Sequence, residues 1–312
     1  MVNAGWREVT ATDDAADVAF PVTICYPTQE PERERNLGPY AISAAWDAAP
    51  AAGEHPLVML SHGSGSSPLV NRDLALGLAR AGFVVGMPLH PGDNRADRSL
   101  QHTTQNLRQR PRQLQAAMEA VLGDPALFPG HRPPGVALIG HSLGAYTALA
   151  LAGGEPRTLP EVWPDGPTEA IPVPHDQRVS ALVLLAPAAI WFHAPGALDA
   201  VHVPVLMRAG AQDTVAPPPH HADLVARQLP RRDLLDSGAV AGAGHFSFLS
   251  VFPSQMQQPD FAPAQDPPGF DRAQFQAQLA KDIVNFVKNL TPTVPSTPPF
   301  TPSCPGGGLS AD

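Results

Sequence analysis

A chain of 312 residues with 43% hydrophobic and 16% charged residues carries enough apolar material for a sizeable core, which excludes disorder of the chain as a whole. The balance of 20 Lys and Arg against 29 Asp and Glu, a formal net charge of -9, excludes a general binder of nucleic acid or anionic membrane. Two cysteines, Cys25 and Cys304, are too few for a disulfide framework or a four-ligand zinc site.

The N-terminus has no basic region followed by an apolar one, so no signal peptide is expected. That pattern fits a cytoplasmic chain, or a secreted or periplasmic one in mature, trimmed form. Residues 18–26 (VAFPVTICY) predict a strand paired with the stretch near 6–10, and residues 27–56, rich in Pro, Glu, Arg and Ala, predict a loop. Short, nearly continuous apolar runs follow at 57–60, 83–87, 136–139, 179–185 and 203–207, as expected of strands buried on both faces of a parallel sheet. A last strand is expected at about 232–240. Helical patterns lie between them at 69–81, about 110–122, 142–151, about 217–229 and 271–290. No apolar run approaches the ~18–20 residues of a membrane span. The alternation predicts one doubly wound α/β domain over residues 1–290, with a disordered Pro/Gly-rich tail at 291–312. A Pro-rich insertion at 153–178, with the stretch around Trp191, is expected to wall a cleft together with the loop after 61–65 and the loop at 90–99.

Residues 140–144 read GHSLG, between the apolar run VALI and the helical AYTALALA. Strand, sharp turn and helix are the setting of a nucleophile elbow, which makes Ser142 the candidate nucleophile. A serine hydroxyl needs a base, and in this motif class the acid and then the histidine follow the serine in the chain. His245, in the glycine-flanked GAGHFSF after the last strand, is the candidate base. Asp213, in AGAQDTVAP at the end of the run VPVLM, is the candidate acid; Asp199, Asp223, Asp233 and Asp236 are the alternatives. SHGSG at 61–65 directly follows LVML, so the N–H groups of Ser64 and Leu143 are the candidate oxyanion hole. His62 is expected to pack beneath that loop. Neither HPGDN nor the pair His220 and His221 has the spacing of a zinc site, and no phosphate-binding glycine fingerprint occurs. No metal or cofactor is therefore expected.

Taken in order, SHGSG, GFVVGMPLHPGDN, GHSLGAYTALALAGG, AGAQDTVAP and GAGHFSFL resemble the α/β-hydrolase fold. More narrowly, they resemble the dienelactone-hydrolase-like and platelet-activating-factor-acetylhydrolase-like esterases of bacteria. The resemblance spans about residues 15–290 and places the triad on Ser142, Asp213 and His245. It implies a serine carboxylic-ester hydrolase acting on a small-molecule ester, with lactone or thioester hydrolysis, or a non-catalytic binding protein, as alternatives. True dienelactone hydrolases carry a cysteine where this chain has Ser142, which points to ordinary ester hydrolysis. Polyester-cleaving relatives carry an aromatic near the cleft, and Trp191 is its counterpart, a candidate substrate-binding residue, with a core tryptophan as the alternative.

Overall fold

The apolar runs become the parallel centre of a ten-stranded sheet. In the computed structural model, which describes residues 2–130, 132–161 and 166–290, the strands are β1 (Asn3–Asp13), β2 (Val18–Thr28), β3 (Arg33–Leu37), β4 (Tyr40–Trp46), β5 (Leu57–Ser61), β6 (Val84–Pro88), β7 (Val136–His141), β8 (Val179–Leu185), β9 (Val205–Gly210) and β10 (Leu235–Val240). Their order across the sheet is β10-β9-β8-β7-β5-β6-β2-β1-β4-β3. From β10 to β6 every pair is parallel. β2 then pairs antiparallel with both β6 and β1. All residues of β5, β6 and β7 are buried, which is why they read as unbroken apolar runs. The 291–312 tail and Cys304 lie outside the described residues, and Cys25 is a buried free thiol in β2.

Helices cover both faces. On one side α2 (Thr104–Leu122), α3 (Leu143–Leu151) and α4 (Ala222–Gln228) pack Leu114, Met118, Tyr146, Leu149 and Val225 into one apolar cluster. On the other, α1 (Arg72–Arg80) and α5 (Arg272–Leu290) contribute Leu74, Leu78, Leu279 and Ile283 to a second. Each such side chain, fully removed from water, is worth about 1.5–3 kcal/mol. Among the described residues no helix is long and apolar enough to cross a membrane.

Three expectations need correction. The 27–56 stretch is not a loop: it holds β3 and β4, joined through Gly38 at φ 58 and paired antiparallel. β4 buries Tyr40, Ile42 and Ala44 on one face, a strand's period of two, while β3 is a charged edge strand with almost no apolar signal. The last strand is shorter than expected, because Arg232–Leu234 forms a 3-10 turn. α2 starts at Thr104 rather than near Arg110, capped by Thr103 Oγ1, which accepts from Asn106 N–H at 3.1 Å. Its Pro111 cannot donate to the carbonyl of Leu107 four residues back. The Tyr146 hydroxyl from α3 donates to that carbonyl instead, at 3.1 Å, so a distant side chain repairs the helix.

Candidate active site

The loops after β5, β6, β7, β9 and β10 gather at the carboxyl ends of the parallel strands, where open α/β sheets bind ligands. Ser142 sits between β7 and α3 with φ 53 and ψ -119, a conformation an L-residue rarely adopts. Its backbone is pinned on both sides: Ser142 N–H donates to Leu185 O at 3.0 Å, and Ala188 N–H donates to Ser142 O at 3.1 Å. Two glycines make the turn possible. A Cβ on Gly140 would stand 2.2 Å from the Gly144 carbonyl oxygen, and one on Gly144 would stand 1.9 Å from that of Ser61. The G-x-S-x-G spacing is thus a requirement for close backbone crossing of β7, α3 and the end of β5.

His245 reaches back to this turn from a short 3-10 helix after β10. Its Nε2 is 2.9 Å from Ser142 Oγ and its Nδ1 is 2.8 Å from Asp213 Oδ2. An ionised carboxylate only accepts, so Nδ1 carries the proton and Nε2 is left to accept from the serine hydroxyl. Burial pushes the Asp213 carboxyl up, but His245 and the N–H groups of Ala216 and Val215 outweigh it and hold the pKa below the usual value. Of the alternative acids, Asp236 is an exposed partner of Arg208. His141 donates from Nε2 to the His245 carbonyl at 3.0 Å. Ser247 Oγ accepts from Gly244 N–H and donates to Asp266, which Arg272 holds at 2.8 Å. The serine, aspartate and histidine singled out in the sequence are therefore one hydrogen-bonded chain, with each end braced.

The 61–65 loop lies against Ser142: a Cβ on Gly63 would stand 3.3 Å from Ser142 Cβ. Neither the Ser64 nor the Leu143 N–H has a hydrogen-bond acceptor among the described residues. His62 is wholly buried under this loop; burial and the Arg110 charge lower its pKa to about 3. Ser142 and His245 open into a cavity of about 400 Å³. Arg95, Arg98, Gln101, Phe246, Phe252 and Phe261 are among the residues that line it. The loops after β5 and β6 form its rim, as read from the sequence. The segment before α5 also lines it, through Phe252, Phe261 and Pro263, and the described residues of the 153–178 insertion do not. Trp191 is not brought to this cavity either. Its ring packs edge-on against Tyr146, centroids 5.3 Å apart, behind the hydroxyl that repairs α2. Among the described residues no cluster of three or more His, Cys, Asp or Glu is arranged to hold a metal ion.

No family model matches the chain, and no curated protein matches it. Solved structures do. A ferulic acid esterase from Streptomyces cinnamoneus superposes with a TM-score of 0.63 at 19% identity, over 97% of this chain and 93% of that one. The fold is that of the α/β-hydrolases. A dienelactone hydrolase-like promiscuous phosphotriesterase from metagenomic libraries shares the α/β-hydrolase architecture, with a TM-score of 0.60 at 15% identity over 92% of this chain and 99% of that one. In this α/β-hydrolase sheet, sequence reading missed His141, Asp266 and Arg272 around His245, and Asp93 and Arg110 under the 61–65 loop. The one signal for Asp93 was its place in HPGDN, directly after a strand.

Proposed function

We propose that this chain is a serine carboxylic-ester hydrolase that cleaves short or compact esters, aryl or polyester-type esters among them, through an acyl-enzyme. The observation that carries the reading is the continuous contact from Ser142 Oγ through both nitrogens of His245 to Asp213. Ser142 Oγ adds to the ester carbonyl as its proton passes to His245 Nε2, and the imidazolium formed is stabilised by Asp213. The carbonyl oxygen takes up the electron pair and is held by the N–H groups of Ser64 and Leu143. Collapse expels the alkoxide, which leaves with the proton from Nε2. Water, deprotonated by the same nitrogen, then releases the acid and restores Ser142.

A cavity of about 400 Å³, with three phenylalanines among its lining residues, supports compact acyl or aryl groups over long chains. The fold shared with an esterase of an aromatic acid supports the same substrate class. The test is a ladder of p-nitrophenyl esters from acetate upward, with labelling by a fluorophosphonate probe. The expected result is an adduct on Ser142 and turnover that peaks at short chains, with no jump above the critical micelle concentration. Absence of the adduct overturns the serine mechanism. Rates that climb steadily to C12–C16 chains overturn the substrate class.

A further inference from the structure

Beneath the 61–65 loop lies an ion pair that the chemical steps above do not use. Asp93 and Arg110 are both 0% exposed, and Arg110 Nη1 lies 2.9 Å from Asp93 Oδ2. Taking two charges out of water is costly, and well-packed apolar residues in their place are often as stable or more so. Stability alone is thus a weak reason for the pair. Its hydrogen bonds give a better one.

Asp93 Oδ1 accepts from the Ser64 hydroxyl at 2.7 Å and from the Gly65 N–H at 2.8 Å. Its Oδ2 accepts from Asn106 on α2 as well as from Arg110. Arg110 donates to Ser61 Oγ and to the His62 carbonyl, at the other end of the same loop. Its Nε donates to Thr147 Oγ1 at 3.1 Å, and that hydroxyl donates to the Leu143 carbonyl at 2.9 Å. One ion pair therefore grips both peptide segments that carry the two candidate oxyanion donors: Ser64 directly, and Leu143 through Thr147.

We propose that Asp93 and Arg110 are positioning residues, a clamp that sets the spacing of the Ser64 and Leu143 N–H groups around the developing oxyanion. The proposal rests on the esterase reading above. Oxyanion donors act only within a few tenths of an ångström of the right place, because they must meet the tetrahedral oxygen rather than the ground-state carbonyl. The pair is also neutral as a unit. Arg110 cancels the negative charge that Asp93 alone would place behind an oxygen acquiring negative charge of its own. The clamp thus uses the strong acceptor geometry of a carboxylate without its field.

The test compares wild type with Asp93→Asn, Ser64→Ala and Thr147→Val, the last two each cutting one arm of the clamp while leaving the ion pair intact. Each is measured for kcat and KM on p-nitrophenyl acetate, for the inhibition constant of a phenylboronic acid, whose adduct with Ser142 mimics the tetrahedral intermediate, and for thermal midpoint. Ser64→Ala and Thr147→Val are expected to lower kcat about tenfold, and Asp93→Asn about a hundredfold, with KM within about twofold of wild type. Boronate affinity should fall in step with kcat. If Asp93→Asn does not fold, the two arm variants decide. Folded arm variants with wild-type kcat and boronate affinity would overturn the clamp, as would a rise in KM at constant kcat. Wild-type protein that neither hydrolyses the ester nor takes up a fluorophosphonate would overturn the esterase reading itself, a result distinct from the first two.

Discussion

Lowering the pH from 7.5 to 5.5 should destabilise this fold through its buried histidines. His62, His90 and His141 are at most 3% exposed, and burial lowers the pKa of all three: to about 3 for His62 and His141, and well below the ordinary value for His90. The neighbours do not reverse this. His62 and His90 face Arg110, and His141 faces His245. The folded chain therefore keeps these rings neutral, while the unfolded chain protonates them below about 6.5. The unfolded state binds more protons throughout that window, so stability is complete above about 6.5 and falls as pH drops toward the folded values. At pH 5.5 His62 and His141 have each cost about 1.4 kcal/mol, together about 3 kcal/mol against the 5–15 kcal/mol typical of a domain, and His90 adds to that loss. His221, lowered to about 4, acts in the same direction. Asp176, held down to about 2 chiefly by Arg178, loses its contribution only below about 4 and stays out of the window. Urea unfolding at pH 7.5, 6.5 and 5.5 measures the slope. His141→Gln, which keeps a donor for the His245 carbonyl, should reduce the fall between pH 7.5 and 5.5 by about 1.4 kcal/mol. A free energy of unfolding that is level between pH 7.5 and 5.5 would refute the reasoning.

Three further outcomes follow from the turn and the triad. Ser142→Gly should abolish activity yet raise stability by about 1 kcal/mol, measured by urea unfolding, because glycine adopts φ 53 without strain. Gly144→Ala should cost more than about 3 kcal/mol, since its Cβ would meet the Ser61 carbonyl oxygen at 1.9 Å, whereas Gly77→Ala in α1, with nothing within 4 Å, should gain about 0.5–1 kcal/mol. Asp213→Asn should fold normally and lose on the order of 10⁴ in kcat, while Asp236→Asn, at an exposed Arg208 pair, should leave kcat unchanged; the reverse result would move the acid to β10.

The strands around the site were legible because burial on both faces leaves no polar interruption in LVML, VALI or ALVLL. Ser142 was legible because its two glycines answer a local steric demand. His245 and Asp213 were found by chain order, a constraint of the architecture rather than of their neighbours. What escaped notice depends on partners far along the chain. Pro111 reads as a helix start until Tyr146, on the next helix, takes over the carbonyl it leaves open. Asp93 and Arg110 read as ordinary charges until the fold removes both from water. Trp191 was read as a cleft aromatic through likeness to polyester-cleaving esterases; the alternative, a core tryptophan, is what its packing against Tyr146 shows. β4 did carry a period of two in Tyr40, Ile42 and Ala44, but surrounding Pro, Glu and Arg residues masked it.

The proposed triad also dictates when the proposed hydrolysis can appear during refolding. Ser142 and His245 are 103 residues apart, and His245 and Asp213 are 32 apart. Between them β7, β8, β9 and β10 must pair side by side in parallel, each joined to the next by a crossover that closes a long loop. Contacts of such sequence separation form slowly, because chain entropy is lost before the contact repays it. The hydrogen bond from Ser142 to His245 is therefore a reporter of the whole half-sheet. Regain of hydrolysis cannot run ahead of strand assembly, and a refolding intermediate with native-like helices but an undocked β10 would be catalytically silent.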